Sequence, residues 1–73
     1  MIDNLFYISE IDVGVGAEVF LNTYESNHCV RVLRLKREDS LYVTNGKGSL
    51  FRAVLVQEAS KACLLRIEER FDQ

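Results

Sequence analysis

The spacing of apolar residues changes several times along the 73-residue chain and divides it into short elements. Residues 5–8 and 18–21 are short apolar or aromatic segments bounded by polar or glycine-containing stretches, which is typical of strands. Ser40–Thr44 alternates with a period of two and predicts a third strand. Two further strands are predicted over Ser49–Gln57 and residues 61–69.

One helix is predicted between the second and third strands, over residues 23–35. Asn22 followed three positions later by Glu25 has the form of a capping box, in which each residue satisfies a free backbone N–H at the helix start. At about 100° per residue this helix is amphipathic, with one side suited to a core. The apolar stripe consists of Cys29, Val30, Val32 and Leu33, and the opposite polar face of Asn27, His28, Arg31 and Arg34.

Two turns complete the pattern and lead to a fold class. Residues 36–39 predict a turn after the helix, and residues 45–48 predict a tight hairpin, because Gly46 and Gly48 can adopt positive φ. Five strands and one helix predict a mainly β fold, a small antiparallel barrel of about five strands plugged by the helix.

Composition restricts the chain to one small domain, residues 1–73. With 8.4 kDa and 48% apolar residues, it can form one core. A domain of this size buries only about 60% of the surface of its unfolded chain, so a complete catalytic machine is not expected. The longest apolar runs, such as residues 53–56, have four residues and are far shorter than the ~20 residues of a membrane span. The acidic N-terminus does not resemble a signal peptide, so we expect a cytoplasmic protein with no membrane partner.

The residues that could carry catalysis or bind a metal are sparse. Cys29 and Cys63 with the single histidine, His28, supply neither a disulfide framework nor four zinc ligands, so both cysteines are expected to be buried apolar residues. His28 has no acidic residue on its helix face to orient it as an acid or base. The glycine-containing segments lack the remaining residues of a phosphate-binding loop. No catalytic, metal or cofactor site is expected in this chain.

The charge distribution is strongly asymmetric although the net charge is only -2. Residues 1–30 contain five acidic residues and no Lys or Arg, a balance of -5, whereas the remainder carries nine basic and six acidic residues, a balance of +3. Four of the basic residues, Arg31, Arg34, Lys36 and Arg37, fall within seven positions. A phosphate backbone responds to such a local potential within a Debye length of about 8 Å.

The basic cluster has two explanations. Lys36 and Arg37 follow the predicted helix, where cations interact favourably with the carbonyls of the last turn by about 0.3–1 kcal/mol each. Arg31 lies in the middle of the helix with no acidic residue four positions away, so the helix dipole explains it less well. Arginines also suit bidentate contacts to phosphate.

The segment NHCVRVLRLK, residues 27–36, followed by residues 39–41 and 45–48, resembles the N-terminal region of the bacterial ribosomal RNA small subunit methyltransferase E family. The family pattern runs roughly His-His-x-x-Arg-Val-Leu-Arg-x-Lys-x-Gly-Asp, then a hydrophobic strand and Asp-Gly-x-Gly. The similarity spans most of the chain. Members of that family use S-adenosylmethionine to methylate N3 of a uridine in 16S rRNA.

The resemblance implies a PUA-like barrel that binds RNA, with 16S rRNA or the small ribosomal subunit as partner. In the full enzyme a knotted SPOUT-type domain would follow, bind S-adenosylmethionine, hold the catalytic residues and form a homodimer. Nothing in this chain matches that second domain, so we expect a non-catalytic fragment of a methyltransferase.

Carried over position by position, the resemblance implies that His28, Arg31, Arg34 and Lys36 bind RNA. Asn27 stands where the pattern has its first histidine and keeps a hydrogen-bonding side chain, and Arg37 is added on its charge alone. Glu38 stands where the pattern has a turn glycine. If that position is left-handed, the glutamate reduces stability by about 1 kcal/mol.

Two alternatives use the same residues differently. In the first, the arginine face docks a catalytic domain or a partner subunit and contacts no RNA. In the second, the charges are structural, and Arg31 and Arg34 pair with Glu68, Glu69 or Asp72 in the fold.

Overall fold

The computed structural model describes residues 5–9 and 11–72 and shows five strands with one helical segment. The strands are β1 (Leu5–Tyr7), β2 (Glu18–Phe20), β3 (Ser40–Thr44), β4 (Ser49–Gln57) and β5 (Leu64–Asp72). Between β2 and β3, helix α1 (Thr23–Asn27) continues directly as a π-helical segment, His28–Val32. The two parts together are called the helical segment below.

The strands form one curled, mixed sheet in the order β1-β3-β4-β5-β2. β3, β4, β5 and β2 pair antiparallel, and β1 adds to the edge of β3 in parallel. The predicted mainly β fold of about five strands and one helix is therefore confirmed, with one parallel pair in a sheet that is otherwise antiparallel.

The core lies on the concave side of the sheet, and β3 shows the alternation that the sequence predicted. On β3, Leu41 and Val43 point inward, and on β4 the same face carries Phe51, Ala53 and Leu55. Alternate residues of a strand point to opposite faces, so one register places all of these side chains together. The buried apolar residues are Phe6, Ile11, Leu21, Cys29, Leu35, Leu41, Val43, Phe51, Ala53, Leu55, Cys63, Leu65 and Ile67.

The helical segment connects the two ends of the curled sheet. At one end, the Glu25 carboxylate accepts a hydrogen bond from the backbone N–H of Tyr7 on edge strand β1, at 3.0 Å. At the other end, Ser26 is completely buried, and its hydroxyl accepts from the Cys63 N–H just before β5, at 2.8 Å. The same hydroxyl donates to the Leu21 carbonyl at 3.2 Å. The segment thereby closes the opening between the edge strands.

The capping box is confirmed only in its first half. The Asn22 side chain accepts from the Glu25 N–H at 2.8 Å and caps α1 as predicted. The Glu25 carboxylate does not bond back to the cap, because it accepts the Tyr7 N–H on the sheet edge. The Glu25 carboxylate therefore makes a long-range contact to β1 in place of the local contact of a complete capping box.

The last strand begins and ends three residues later than predicted, at Leu64 and Asp72 rather than at 61 and 69. The backbone of Cys63 is already occupied, since its N–H donates to Ser26 and its carbonyl accepts from the Leu21 N–H at 2.9 Å. Pairing with β4 accordingly starts at Leu64, opposite Gln57.

The hairpin between β3 and β4 forms where the two glycines predicted it. Gly46 and Gly48 both have positive φ, +73° and +95°. The Asn45 side chain organises the turn by accepting from the N–H groups of Lys47 and Ser49. Its amide also donates to the Ile11 carbonyl and joins the hairpin to the preceding loop.

In the described ranges no helix is long and apolar enough to cross a membrane. The same residues contain no group of three or more His, Cys, Asp or Glu side chains that could hold a metal ion.

Substituting Ser26→Ala should destabilise the chain by about 2 kcal/mol or more, because it leaves two buried backbone groups without a partner at about 1–3 kcal/mol each. The free energy of unfolding from urea denaturation measures this loss. Ser40→Ala is the matched control, since Ser40 is exposed at the start of β3 and should change stability by less than about 0.5 kcal/mol. Equal values for both variants would contradict the role given to Ser26.

Candidate functional site

The helical segment widens at its middle, and this widening decides which side chains reach the surface. The Leu33 N–H donates to the His28 carbonyl five residues back, at 3.0 Å, and the Leu35 N–H donates to the Cys29 carbonyl at 3.0 Å. In such a π turn each residue rotates less about the helix axis than in an α-helix. The regular helical wheel assumed for residues 23–35 therefore fails beyond Asn27.

Val32 shows the consequence of the wider turn most clearly. The sequence placed Val32 in the apolar stripe, but the structure leaves it 63% exposed. Cys29 is fully buried as predicted, and Val30 and Leu33 pack against the core.

The helical segment ends in a conformation that L-residues rarely adopt. Arg34 has φ of +56°, a position at which glycine or asparagine is usual. The reversal lets the next residue, Leu35, turn back into the core. Placing an arginine at this position costs about 1–2 kcal/mol.

A second left-handed residue lies in the turn that follows. Glu38 has φ of +79°, so the position that the family pattern fills with glycine is indeed left-handed in this chain. The Asp39 carboxylate accepts the Lys36 N–H at 2.8 Å, which confirms the predicted turn. The Glu38 N–H donates to the Leu55 carbonyl at 2.8 Å and fixes the turn to β4.

Three of the predicted residues meet at one surface groove. Arg31, Arg34 and Lys36 line an open depression of about 460 Å³ beside the end of the helical segment. Val30 and Leu35 form its apolar floor, and Glu58 lies at its rim. We call this depression the basic groove.

The other predicted residues lie outside the basic groove. Asn27 and His28 line a neighbouring depression with Tyr24 and Val32. Arg37 borders a third one near the end of β4, with Val56 and Gln57. The predicted residues therefore line three depressions.

His28 is partly a structural residue. It is half-buried, and its ring packs against Phe6 edge to face, with ring centroids 6.3 Å apart and an interplanar angle of 75°. The contact fixes the ring while leaving one side of it toward the neighbouring depression.

Among the described residues, the fold does not contain the ion pairs of Arg31 and Arg34 that the structural alternative required, because their expected partners bind other arginines. Glu69 pairs with Arg52 at 2.6 Å, and Glu68 pairs with Arg66 at 2.8 Å. Asp72 pairs with Arg70 at 2.8 Å, and hydrogen bonds from Arg70 and then Ser49 hold the pKa of Asp72 below its usual value. Within residues 5–9 and 11–72, no carboxylate forms an ion pair with any of the four cations of the basic cluster, Arg31, Arg34, Lys36 and Arg37.

The two cysteines are buried and free, as the sequence predicted. Burial, followed by the neighbouring Cys63, raises the pKa of the Cys29 thiol to about 12. A thiol that stays protonated at neutral pH is a poor nucleophile, which agrees with the absence of a predicted catalytic cysteine.

Sequence reasoning missed Tyr24, which shares a depression with Asn27, His28 and Val32. A signal was present, because Tyr24 precedes His28 by four residues and so shares its helix face. The prediction concentrated on charged and amide side chains and gave the exposed ring no role.

Comparison with known proteins agrees with this architecture. A family model described as "RNA methyltransferase PUA domain" matches residues 21–68. No curated protein sequence matches the chain significantly.

Several solved structures share the fold. Ribosomal RNA small subunit methyltransferase E of Neisseria gonorrhoeae, bound to S-adenosylmethionine, is similar with a TM-score of 0.83 and 25% identity over 93% of this chain. A Porphyromonas gingivalis protein described as a probable rRNA-methyltransferase is 31% identical over 96% of the chain, with a TM-score of 0.79. A Legionella pneumophila protein solved with SAM has a TM-score of 0.84 at 22% identity over 94% of the chain, and supports the fold alone. The chain covers 28% of the length of each.

The left-handed backbone at Arg34 leads to a stability prediction. Arg34→Asn should raise the free energy of unfolding by about 1 kcal/mol relative to Arg37→Asn, because asparagine tolerates positive φ and Arg37 has ordinary φ. Both substitutions remove one positive charge, so urea denaturation of the pair isolates the backbone effect. An Arg34→Asn variant no more stable than Arg37→Asn would show that the position carries no strain.

Proposed function

The chain belongs to the RNA methyltransferase PUA domain family, and we propose that it is the RNA-recognition domain of an rRNA methyltransferase. The observation that carries the proposal is the basic groove. Arg31, Arg34 and Lys36 converge there without an ion-pair partner among the described residues.

The chemistry of the groove suits a phosphate backbone better than a neutral ligand. Guanidinium groups bind phosphate oxygens in a bidentate geometry, and two of the three cations are arginines. With Glu58 at the rim, the lining residues carry a net charge of +2. The strain accepted at Arg34 also supports a role for its side chain, since such outliers cluster at functional sites.

The remaining predicted residues extend the proposed RNA surface beyond the basic groove. Arg37 supplies a further phosphate contact next to β4. Asn27 and His28 offer hydrogen bonds in the depression that they share with Tyr24. Phosphate contacts position an RNA without reading its sequence, so the shape of the rRNA and a pocket elsewhere would select the target base.

The activity of the longer protein follows as a proposal from its relatives. We infer an enzyme that methylates N3 of a uridine in 16S rRNA during ribosome biogenesis in the cytoplasm, as a homodimer joined through a SPOUT-type catalytic domain. Support comes from the match to the N. gonorrhoeae methyltransferase E structure, which holds S-adenosylmethionine. The chain covers 28% of that protein, which leaves room for a catalytic domain.

The residues of this chain do not suit S-adenosylmethionine itself. The basic groove is an open, cationic depression, and it would repel the positively charged sulfonium of the cofactor. We therefore place no cofactor and no methyl-transfer step on this domain, and assign both to another part of the parent enzyme.

Contact with another protein unit is a second candidate function, and the convex face of the sheet favours it. Tyr7, Thr44, Leu50 and Phe71 align across four strands by register and point away from the core. Tyr7 and Phe71 are exposed. We infer that this stripe packs against the remainder of a longer chain. The contact surface would then be the convex face of the sheet, and not the arginine face considered in the sequence analysis.

Binding of RNA through the basic groove predicts a specific salt dependence. Phosphate contacts from the three groove cations and from Arg37, at about 0.7 each, give a log–log slope of about -3 for affinity against salt concentration. Arg31→Ala and Arg34→Ala should each reduce the magnitude of that slope by about 0.7. Fluorescence anisotropy with a labelled helical junction of 16S rRNA at several salt concentrations measures both the slope and the affinity.

Arg66→Ala is the matched control for the salt titration. It removes the same charge from an arginine that is paired with Glu68 on the convex face, and should leave the slope unchanged. If the Arg31→Ala/Arg34→Ala double variant binds as the unmodified chain does, the RNA interface is not at this groove.

A further inference from the structure

An exposed aromatic residue of the helical segment has no role in the fold. Tyr24 is 78% exposed, more than any other large hydrophobic residue in the described ranges. Over the same ranges its hydroxyl has no hydrogen-bond partner and its ring has no aromatic partner. Val32, 63% exposed, lies on the same depression. Two apolar groups thus face solvent where the helical segment could have presented polar ones.

The depression that Tyr24 and Val32 share is lined by apolar and polar side chains, with no Lys, Arg, Asp or Glu among them. Its volume is about 400 Å³, and it is bordered by Thr23, Tyr24, Asn27, His28 and Val32. The His28 ring is held in place by Phe6, and Asn27 supplies both a donor and an acceptor. None of the five lining residues is acidic. We call it the aromatic cleft.

The aromatic cleft matches the chemistry of a nucleobase rather than that of a phosphate. A base is a flat ring with apolar faces and hydrogen-bonding edges, so it can stack on Tyr24 while its edge meets the Asn27 amide. Its phosphate needs a cation nearby, and the exposed Arg31 directly precedes Val32, which lines the cleft. The cleft and the basic groove together supply what one nucleotide and its backbone require.

We propose that the aromatic cleft binds one unpaired nucleotide of the RNA, stacked on Tyr24, while its flanking phosphate contacts Arg31. This inference rests on the proposed RNA-binding function and adds a substrate class to it, a single-stranded or bulged segment. A base inside a duplex is paired and stacked, and its face cannot reach the ring. The stacking is tolerant of sequence, because every base has a π-face.

The chain contains no tryptophan, so Tyr24→Trp introduces a single fluorescent reporter in the cleft. Titration with oligouridine should quench its emission, and an oligonucleotide of equal charge with one abasic position at the binding site should quench it much less. Tyr24→Ala should weaken oligouridine binding about 5- to 150-fold, the loss expected for one stacked base. Tyr24→Phe should retain most of the affinity, because it keeps the ring.

The salt slope separates this inference from the proposed function. Tyr24→Ala should lower the affinity without changing the slope, whereas Arg31→Ala changes the slope. Phe71→Ala is the matched control, an exposed aromatic residue on the convex face, and should have no effect. Unchanged affinity in Tyr24→Ala, or equal binding of duplex and single strand, would show that the aromatic cleft binds no nucleotide. Neither result would contradict RNA binding at the basic groove. If the unmodified chain binds no RNA, both the cleft and the proposed function are wrong.

Discussion

A single buried hydroxyl determines where the helical segment lies, and the exposed surface of the domain depends on that position. Ser26 donates to the Leu21 carbonyl and accepts from the Cys63 N–H, so it joins the start of the helical segment to the start of the last strand. Hydrogen bonds in a dry interior are costly to leave unmade, and this pair restricts rotation of the segment. Cys29 is then held against Cys63 in the core, while Tyr24 and Arg31 face outward.

The same fold distributes charge into two kinds of surface. On the sheet, Arg52, Arg66 and Arg70 each have a carboxylate partner, so these arginines serve the structure first. Around the helical segment and the turn after it, the cations have no such partner among the described residues. A chain with a net charge of -2 can therefore present a local positive potential, since exposed charges beyond about 8 Å are screened.

Much of the fold could be predicted from local sequence signals. Alternation identified the inward face of β3, Asn22 marked the start of the helix, and two glycines marked the hairpin. These features depend on neighbouring residues, and the pattern of those neighbours is visible in the sequence. The basic cluster was equally visible, as four cations within seven positions.

The remainder required contacts between distant residues. The last strand starts late because Cys63 bonds to Ser26, 37 residues earlier, and Glu25 serves β1 instead of its own cap. The π turn allows Cys29 and Leu35 both to reach the core, so a regular helical wheel misplaced Val32. Tyr24 gained a role only once its exposure was known.

The central claim is that RNA contacts the helical segment and its following turn, and that the convex face of the sheet takes no part. Titration of the ¹⁵N-labelled chain with a single-stranded RNA, followed by amide chemical shifts, tests it most directly. We predict that the largest shifts fall within residues 23–38 and that the amides of Arg52 and Arg66 do not move. Chemical shift changes centred on the convex strands would contradict the account, and so would the absence of any change on addition of excess RNA.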